Sequence, residues 1–509
     1  MDTQKASSKE YPAVEESATY AALMNESSQE GRHPGGSLRQ WLARLENTRR
    51  LVVARKGVSL KHQLAAIAKC FDGAQATYFP SPEGHEIPVV SGFMSQRAWI
   101  AEAMGVGEKD LLKRFREAAD QPLKWQEVEA SQAPCQEVVL KQADVLRLLP
   151  IPTHSEHDNG PYITAGLVIA RNPITGIQNV SINRIQVHSG NQMAILMLPR
   201  HLLAFYKEAE SRQQALDVAV VIGVDPLTLL ASQAVVPIDH DELEIAGALH
   251  GRPLPVVKCQ TNEVRVPASS EIVIEGRLLP GVRELEGPFG EFPRYYSARE
   301  HREVIQVDAV THRRSPIYHT IVPAEMEHLL LGSIPREATI LAHLQRSFSN
   351  VIDVHLSIGG VGRYHLFVKI RKTHEGQPKN VICAAFGAHY DIKQVVVVDD
   401  DVEVHDPRQV EWAVATRFQA DRDLVIIQGA QGSVLDPSTT VGQDFGPGVA
   451  PPAHMQGLSA KMGLDATRPV VYHEHVFTRV RVPGELEVDP KTVVQSGARI
   501  DWQTGIVSV

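Results

Sequence analysis

The chain has 509 residues, a formal net charge of −9 and an ordinary apolar content of 43%. That length exceeds one compact core, so two or three domains are expected. The absence of a basic stripe argues against a nucleic-acid partner, no apolar run reaches membrane-spanning length, and Cys70, Cys135, Cys259 and Cys383 are too scattered for a disulfide framework or a metal finger.

In chain order, residues 1–36 are polar and read as an N-terminal tail without the apolar core of a signal peptide. Tyr11, Tyr20 and Leu23 could dock part of it as a short helix. A cytoplasmic location is the expectation. Ser37 then caps an amphipathic helix, with Leu38, Trp41, Leu42 and Leu45 spaced i, i+3, i+4, i+7. Further helices are expected at 60–71 and 111–119, with a short strand at 87–90, so that 37–130 reads as a small α/β domain. Residues 131–320 turn to strands, at 163–170, 179–187, 218–223, 256–259, 272–277 and 304–311, interrupted by helices near 201–210 and 241–249. An antiparallel, barrel-like sheet follows from that pattern. The His154-Ser-Glu-His157-Asp-Asn-Gly-Pro161 segment carries turn chemistry and reads as a solvated loop entering the barrel, not as a metal site. Residues 321–485 return to α/β, with helices at 337–345, 380–388 and 407–417 and strands at 354–358, 364–370, 395–398 and 423–427. Pro437, Pro447, Pro451 and Pro452 mark a loop over 434–460, too long for an idle connector. Residues 486–509 read as a C-terminal tail.

Chemistry concentrates in two clusters. Glu286-Gly-Pro-Phe-Gly-Glu291 sets two carboxylates around a turn whose backbone Gly287, Pro288 and Gly290 restrict. Two acids held close do not ionise freely together, and a nearby cation decides between them. Upstream lie Asn179-Val-Ser181-Ile182-Asn183-Arg184, Pro199-Arg200-His201 and Asp241-Glu242. Asparagine, histidine and glutamate form a mixed N/O set that suits Mn2+ or Mg2+. If 179–187 is one strand, Asn179 and Arg184 point to opposite faces. Taken singly, each residue reads as structural: an amide capping a turn, a satisfied histidine, a surface acid. Walker A, G-x-G-x-x-G and G-x-S-x-G signatures are absent.

Taken together, N-x-S-I-x-R, P-x-H, the acid five residues before Gly247 and E-G-P-F-G-E occur in an order that resembles the UbiD family of prenylated-FMN-dependent decarboxylases. The resemblance runs from about residue 37 to about 480. It implies an N-terminal α/β domain, a central antiparallel split β-barrel that binds prenylated FMN, and a C-terminal α/β domain that builds a homodimer or larger assembly. The implied reaction is reversible, non-oxidative decarboxylation of an aromatic, heteroaromatic or α,β-unsaturated carboxylic acid, a carboxy-lyase activity supplied with cofactor by a separate flavin prenyltransferase. Glu291 matches the proton donor. Arg184 matches the arginine that pairs with Glu286 and orients the substrate carboxylate, which should keep Glu286 ionised and leave Glu291 the easier acid to protonate. Asn179, His201 and Glu242 match ligands of a divalent cation on the flavin phosphate. Ser181, Ile182, Asn183 and Arg184 supply cofactor contacts, Ser232, Gln233 and Ala234 line the phosphate or a K+ ion, and Lys393 reaches the phosphate, with Arg417 in the same ionic cluster. Met197, Arg200, Phe292 and Leu331 fall where the substrate pocket is expected. The alternatives are a hydroxybenzoate-type decarboxylase of quinone biosynthesis, against which Glu291 counts, a flavin-free metal-dependent hydrolase using His201, Glu242 and Glu291, and a non-catalytic assembly protein.

Overall fold

The computed structural model describes residues 34–439, 455–484, 487–493, 497–504 and 506–508. Tyr11, Tyr20, Leu23 and most of the 434–460 loop lie outside them. After Ser37 comes α1 (Leu38–Asn47), which buries the expected Leu38, Trp41, Leu42 and Leu45. It is followed by β1 (Leu51–Val53), α2 (Gln63–Cys70), β2 (Ala76–Phe79), β3 (Val89–Ser91), α3 (Arg97–Ala103) and α4 (Leu111–Asp120). Arg39 on α1 donates to both oxygens of buried Glu271, at 2.9 and 2.7 Å, and so ties the first helix to the centre of the molecule.

The central part contains β4 (Gln126–Glu127), β5 (Val138–Lys141), α5 (Val145–Leu148), β6 (Tyr162–Ile163), β7 (Leu167–Arg171), β8 (Gln178–Ile182), β9 (Ile185–Ser189) and β10 (Gln192–Ile195). Then come α6 (His201–Ser211), β11 (Leu216–Ile222), α7 (Pro226–Ala231), α8 (Glu242–His250), β12 (Pro255–Lys258), β13 (Arg265–Pro267), β14 (Ile272–Glu286), β15 (Glu300–His312) and β16 (Tyr318–His319). Nine strands make one sheet in the order β6-β9-β10-β15-β14-β11-β7-β8, with β5 added on β15. Its pairings are antiparallel. Among the described residues no ladder joins the end strands β6 and β8. β16 returns to pair parallel with β3 and completes the N-terminal sheet.

Alternation along β11 sorts its side chains into two cores: Val218, Val220 and Ile222 face one, Ala219 and Val221 the other. A sheet buried on both faces explains why its strands read as continuous apolar runs. Two expected strands are each broken in two. The 163–170 span is interrupted at 164–166, where a Cβ on Gly166 would lie 2.6 Å from Val220 Cγ1. The 179–187 span is interrupted at Asn183 and Arg184, so counting faces from Asn179 to Arg184 does not hold. The strand before the acidic turn also runs much further than expected, to Glu286 itself.

The C-terminal part opens with α9 (Met326–Ser347), which starts well before the expected 337. Then come β17 (Val351–Leu356), β18 (His365–Ile370), α10 (Gln377–Ala388), β19 (Gln394–Asp399), α11 (Pro407–Arg417), β20 (Leu424–Gln431) and β21 (Leu458–Ala466), in a sheet ordered β17-β18-β19-β21-β20. Asp406 caps α11 by accepting Arg408 N at 3.0 Å. Two buried acids anchor α9. Glu327 accepts the Gly92 and Met94 amides of the N-terminal part at 2.8 and 3.0 Å. Glu337 accepts Arg97 Nη1 at 2.5 Å and the β17 amide of Leu356 at 2.8 Å. Among the described residues no helix is long and apolar enough to cross a membrane.

The β14–β15 hairpin is the longest pairing in the sheet, and Gly276 sits at its bulge. A Cβ there would run into the Gln306 carbonyl across the pair. Gly276→Ala is expected to cost about 1–3 kcal/mol by overpacking, seen as a lower unfolding midpoint in urea. Gly387→Ala, where a Cβ meets nothing within 4 Å, is expected to leave the midpoint unchanged or raise it.

Candidate active site

The acidic turn is the tip of the β14–β15 hairpin. Gly287 takes φ +91°, and a Cβ there would lie 2.6 Å from the Ala298 carbonyl oxygen, so glycine is required. Arg184, in the break between β8 and β9, reaches into this tip. Its Nη2 donates to Glu286 Oε2 at 2.7 Å and its Nη1 to Glu291 Oε1 at 2.5 Å. The guanidinium therefore bridges both acids, where pairing with Glu286 alone was expected. All three side chains are sheltered, with 6%, 0% and 12% of Arg184, Glu286 and Glu291 exposed. Burial alone would lower the Arg184 pKa, but Glu291 and Glu286 outweigh it and raise it. The acids differ in their remaining partners. Glu286 Oε1 accepts the Tyr162 hydroxyl at 3.0 Å, whereas among the described residues Glu291 Oε2 has only the Phe292 amide at 3.4 Å. Burial first, and Glu286 second, push the Tyr162 pKa up and hold it as a neutral donor.

The turn is braced by residues that local sequence patterns did not mark. Gly287 N donates to Tyr162 Oη and to Gln186 Oε1, both at 3.1 Å. Gly290 N donates to Asp158 Oδ1 at 2.8 Å, and Asn159 N donates to the Pro288 carbonyl at 3.0 Å. Gln186 Nε2 donates to the Asn159 carbonyl. The 154–161 segment, expected to be a solvated loop, is thus a clamp on the turn. His154 within it is buried, its Nε2 2.8 Å from Thr320 Oγ1, and burial lowers its pKa to about 3. The Asp-Asn-Gly-Pro signal marks a turn correctly but carries no information about what the turn's amide and carboxylate meet.

The expected cation ligands come together in part. Asn179 Nδ2 donates to Glu242 Oε1 at 2.9 Å, and Val180 N donates to Glu242 Oε2 at 2.7 Å. Asn179 Oδ1 is buried without a hydrogen-bond partner. An orphaned amide oxygen beside a buried carboxylate fits a hard cation. Burial pushes the Glu242 carboxyl well above its usual range. His201 and Glu242 begin α6 and α8 as expected, and burial lowers the His201 pKa. Among the described residues no three His, Cys, Asp or Glu side chains gather as a metal cluster, and the expected set holds only two such residues.

Ser181 Oγ donates to Asn183 Oδ1 at 2.9 Å, and Asn183 Nδ2 donates to the Leu196 carbonyl at 3.0 Å. These bonds shape the break that aims Arg184, with Ile182 ending β8. Ser232 follows α7 and bonds the Leu229 carbonyl at 2.7 Å, with Gln233 and Ala234 in the turn beyond. Lys393 Nζ lies 2.7 Å from Asp436 Oδ2. Arg417 contacts Asp399 and Asp401, a cluster within the C-terminal part, and not the cofactor candidates it was grouped with. Met197, Phe292 and Leu331 are buried, while Arg200 is exposed with Nη2 3.4 Å from Tyr390 Oη.

Three family models match in series. Those described as the 3-octaprenyl-4-hydroxybenzoate carboxy-lyase N-terminal domain, Rift-related domain and C-terminal domain cover residues 42–119, 126–326 and 329–466. The chain belongs to the UbiD family. Among solved UbiD-class enzymes, HmfF from Pelotomaculum thermopropionicum, in complex with FMN, is similar at TM-score 0.86 and 46% identity, over 90% of this chain and 100% of that one. An evolved dimeric form of HmfF in complex with prFMN matches at TM-score 0.82. The 3,4-dihydroxybenzoic acid decarboxylase AroY of Klebsiella pneumoniae matches at TM-score 0.82 and 28% identity, over 90% of this chain and 98% of that one. Anhydromevalonate phosphate decarboxylase of Methanothermobacter thermautotrophicus is 39% identical over 78% of this chain and 88% of its own length. This UbiD-family chain is accordingly a carboxy-lyase with the family's three-part architecture.

His154 links the clamp to pH. Its folded pKa of about 3 lies below the unfolded value of about 6.5, so its contribution to stability is present above pH 6.5 and is lost as pH falls through that window towards 3. The expected slope is about 1.4 kcal/mol per pH unit below about 6.5. Unfolding midpoints measured from pH 7.5 to 4.5 should fall less steeply for His154→Gln than for the unsubstituted protein.

Proposed function

We propose that this UbiD-family chain catalyses reversible, non-oxidative decarboxylation of an aromatic or heteroaromatic carboxylic acid with prenylated FMN. One observation carries the proposal: the buried Arg184 guanidinium held between Glu286 and Glu291. Prenylated FMN, when bound, supplies the electron sink that side chains lack. Arg184 carries fixed positive charge and a planar fork, so exchanging part of its bonding to Glu291 for a substrate carboxylate orients that carboxylate at the hairpin tip. As the C–C bond breaks and CO2 leaves, Glu291 gives its proton to the carbon that held the carboxylate, and solvent returns a proton to Glu291. Tyr162 and Arg184 fix Glu286, and the Asp158–Asn159 clamp fixes the turn, so Glu291 is the member of the pair free to move a proton. Asn179, His201 and Glu242 would hold a divalent cation at the flavin phosphate. Ser232, Gln233 and Ala234 would serve the phosphate or a K+ ion, and Lys393 the phosphate. A homodimer or larger assembly, cofactor supply by a flavin prenyltransferase and a cytoplasmic setting complete the reading.

An α,β-unsaturated acid is the second substrate class. The relatives named anhydromevalonate phosphate decarboxylase favour it, whereas the likeness to a dihydroxybenzoic acid decarboxylase favours a ring.

The test is protein co-expressed with a flavin prenyltransferase and purified in the dark. Its visible spectrum and the mass of the released cofactor are expected to identify prenylated FMN, and CO2 release is expected over a panel of ring and unsaturated acids. A colourless protein holding only metal would overturn the proposal. Glu291→Gln is expected to lower kcat by about 10²- to 10⁴-fold with cofactor content unchanged. Arg184→Lys, a point charge in place of a fork, is expected to lower kcat/KM and to release the bond to one of the two acids.

A further inference from the structure

Close to Glu291 the chain gathers positive charge that forms no ion pair among the described residues. Arg363 stands over the Phe292 ring, its guanidinium carbon 4.4 Å from the centroid. Arg336, on α9, is 5% exposed and donates to the carbonyl of Gly332, one turn earlier. The two guanidiniums converge there: a Cβ on Gly332 would lie 2.8 Å from Arg363 Nη2 and 3.6 Å from Arg336 Nη1. The Nε atoms of both arginines are buried with no hydrogen-bond partner. Arg200 approaches from the start of α6, against Tyr390, and its charge acts on both. Among the described residues no carboxylate lies within ion-pair reach of Arg200, Arg336 or Arg363. Two acids act on the arginines from beyond ion-pair reach, Asp391 on both and Glu291 on Arg363. Asp391 is 3.8 Å from His389 and also faces Lys461, whose ammonium is spent on the Tyr390 and Ile392 carbonyls. Burial first, and then the neighbouring guanidiniums, push the Arg336 pKa well down.

Like charges gathered in a dry site are costly unless an anion joins them. Buried Nε groups left open on Arg336 and on half-buried Arg363 match the oxygens of a carboxylate or phosphate. Arg363 stands over the Phe292 ring, and Phe292 directly follows Glu291, so an anion held by Arg363 lies on the side of the cluster that faces the acidic turn.

We infer that Arg336 and Arg363, with Arg200 at the rim, form an anion subsite for a second acidic group of the substrate, a carboxylate or a phosphate ester, opposite the carboxylate that is lost. The inference rests on the decarboxylase reading for the role of the first carboxylate, but it concerns binding and is tested by binding. The substrate is therefore a dianion or trianion, and monoacids are poor ligands.

The experiment uses the full chain loaded with FMN and isothermal titration with benzoate, terephthalate and 4-(phosphonooxy)benzoate. At least one of the two doubly acidic probes is expected to bind tenfold or more tightly than benzoate, and the tighter of them tells carboxylate from phosphate. Arg336→Met and Arg363→Met are expected to remove that preference while benzoate affinity stays within about twofold and FMN content is unchanged. Arg336→Lys should restore part of it. Arg200→Ala, at an exposed position, gives a weaker loss and keeps the test open should a buried variant not fold. Equal affinity for benzoate and both doubly acidic probes would overturn the inference. So would loss of FMN from the methionine variants, which would assign these arginines to the flavin phosphate. Absence of CO2 release from every acid tried, with the dianion preference intact, would instead overturn the decarboxylase reading and leave the subsite standing.

Discussion

A guanidinium buried between two carboxylates is the constraint around which the centre of this molecule is built. Arg184, Glu286 and Glu291 are each costly to desolvate alone, and only their mutual contacts make the arrangement stable. That requirement reaches outwards. The arginine must leave the sheet between β8 and β9, which Ser181 and Asn183 secure from within the break. The acids must stand at the end of a long, rigid hairpin, and the Gly287–Gly290 backbone must be held from outside, which Tyr162, Gln186, Asp158 and Asn159 do together. The order of strands in the sheet bears on the same contact: β9 and β14 lie apart in it, separated by β10 and β15, so the triad ties together strands that are not neighbours.

What the sequence made legible was local. The i, i+3, i+4, i+7 apolar spacing after Ser37 needs nothing beyond one helix, and α1 buries those four residues. The acids of the E-G-P-F-G-E turn and the arginine ending N-x-S-I-x-R were visible as motifs, and the family resemblance joined them across about a hundred residues. Legibility failed where a partner far along the chain decides the outcome. Asn179 to Val187 has the composition of one strand, and only the need for Arg184 to reach Glu286 and Glu291 explains why it is two. His154 to Pro161 is polar and turn-forming, and polar turns are usually solvated. Here the polarity is consumed by the backbone of another turn over a hundred residues away. The early start of α9 was hidden for the same reason. Glu327 interrupts its apolar pattern, and it is buried because Gly92 and Met94 offer it amides.

The charged groups divide by position. The triad is paired within itself, one guanidinium holding both carboxyl groups while the Tyr162 hydroxyl donates to Glu286. Arg336 on α9 and Arg363 before β18 form no ion pair among the described residues, and Asp391 and Glu291 act on them only from beyond ion-pair reach. Arg417, by contrast, is fully matched by Asp399 and Asp401, which is how a purely structural buried arginine looks in this fold. The contrast between a matched and an unmatched arginine separates scaffolding from recognition without reference to any ligand.

Glu327 and Glu337 pin α9 at two points, one to the N-terminal part and one to both neighbours. Leu331, Gly332 and Arg336 lie on the stretch between those pins. A helical stretch fixed at both of its ends presents its intervening side chains at constant height and rotation whatever those side chains are. Residues of this stretch can be exchanged while both pins, and the separate β14–β15 hairpin with its two acids, stay in place. The same two pins make α9 the place where a directed-evolution library would retool selectivity with the least risk to folding.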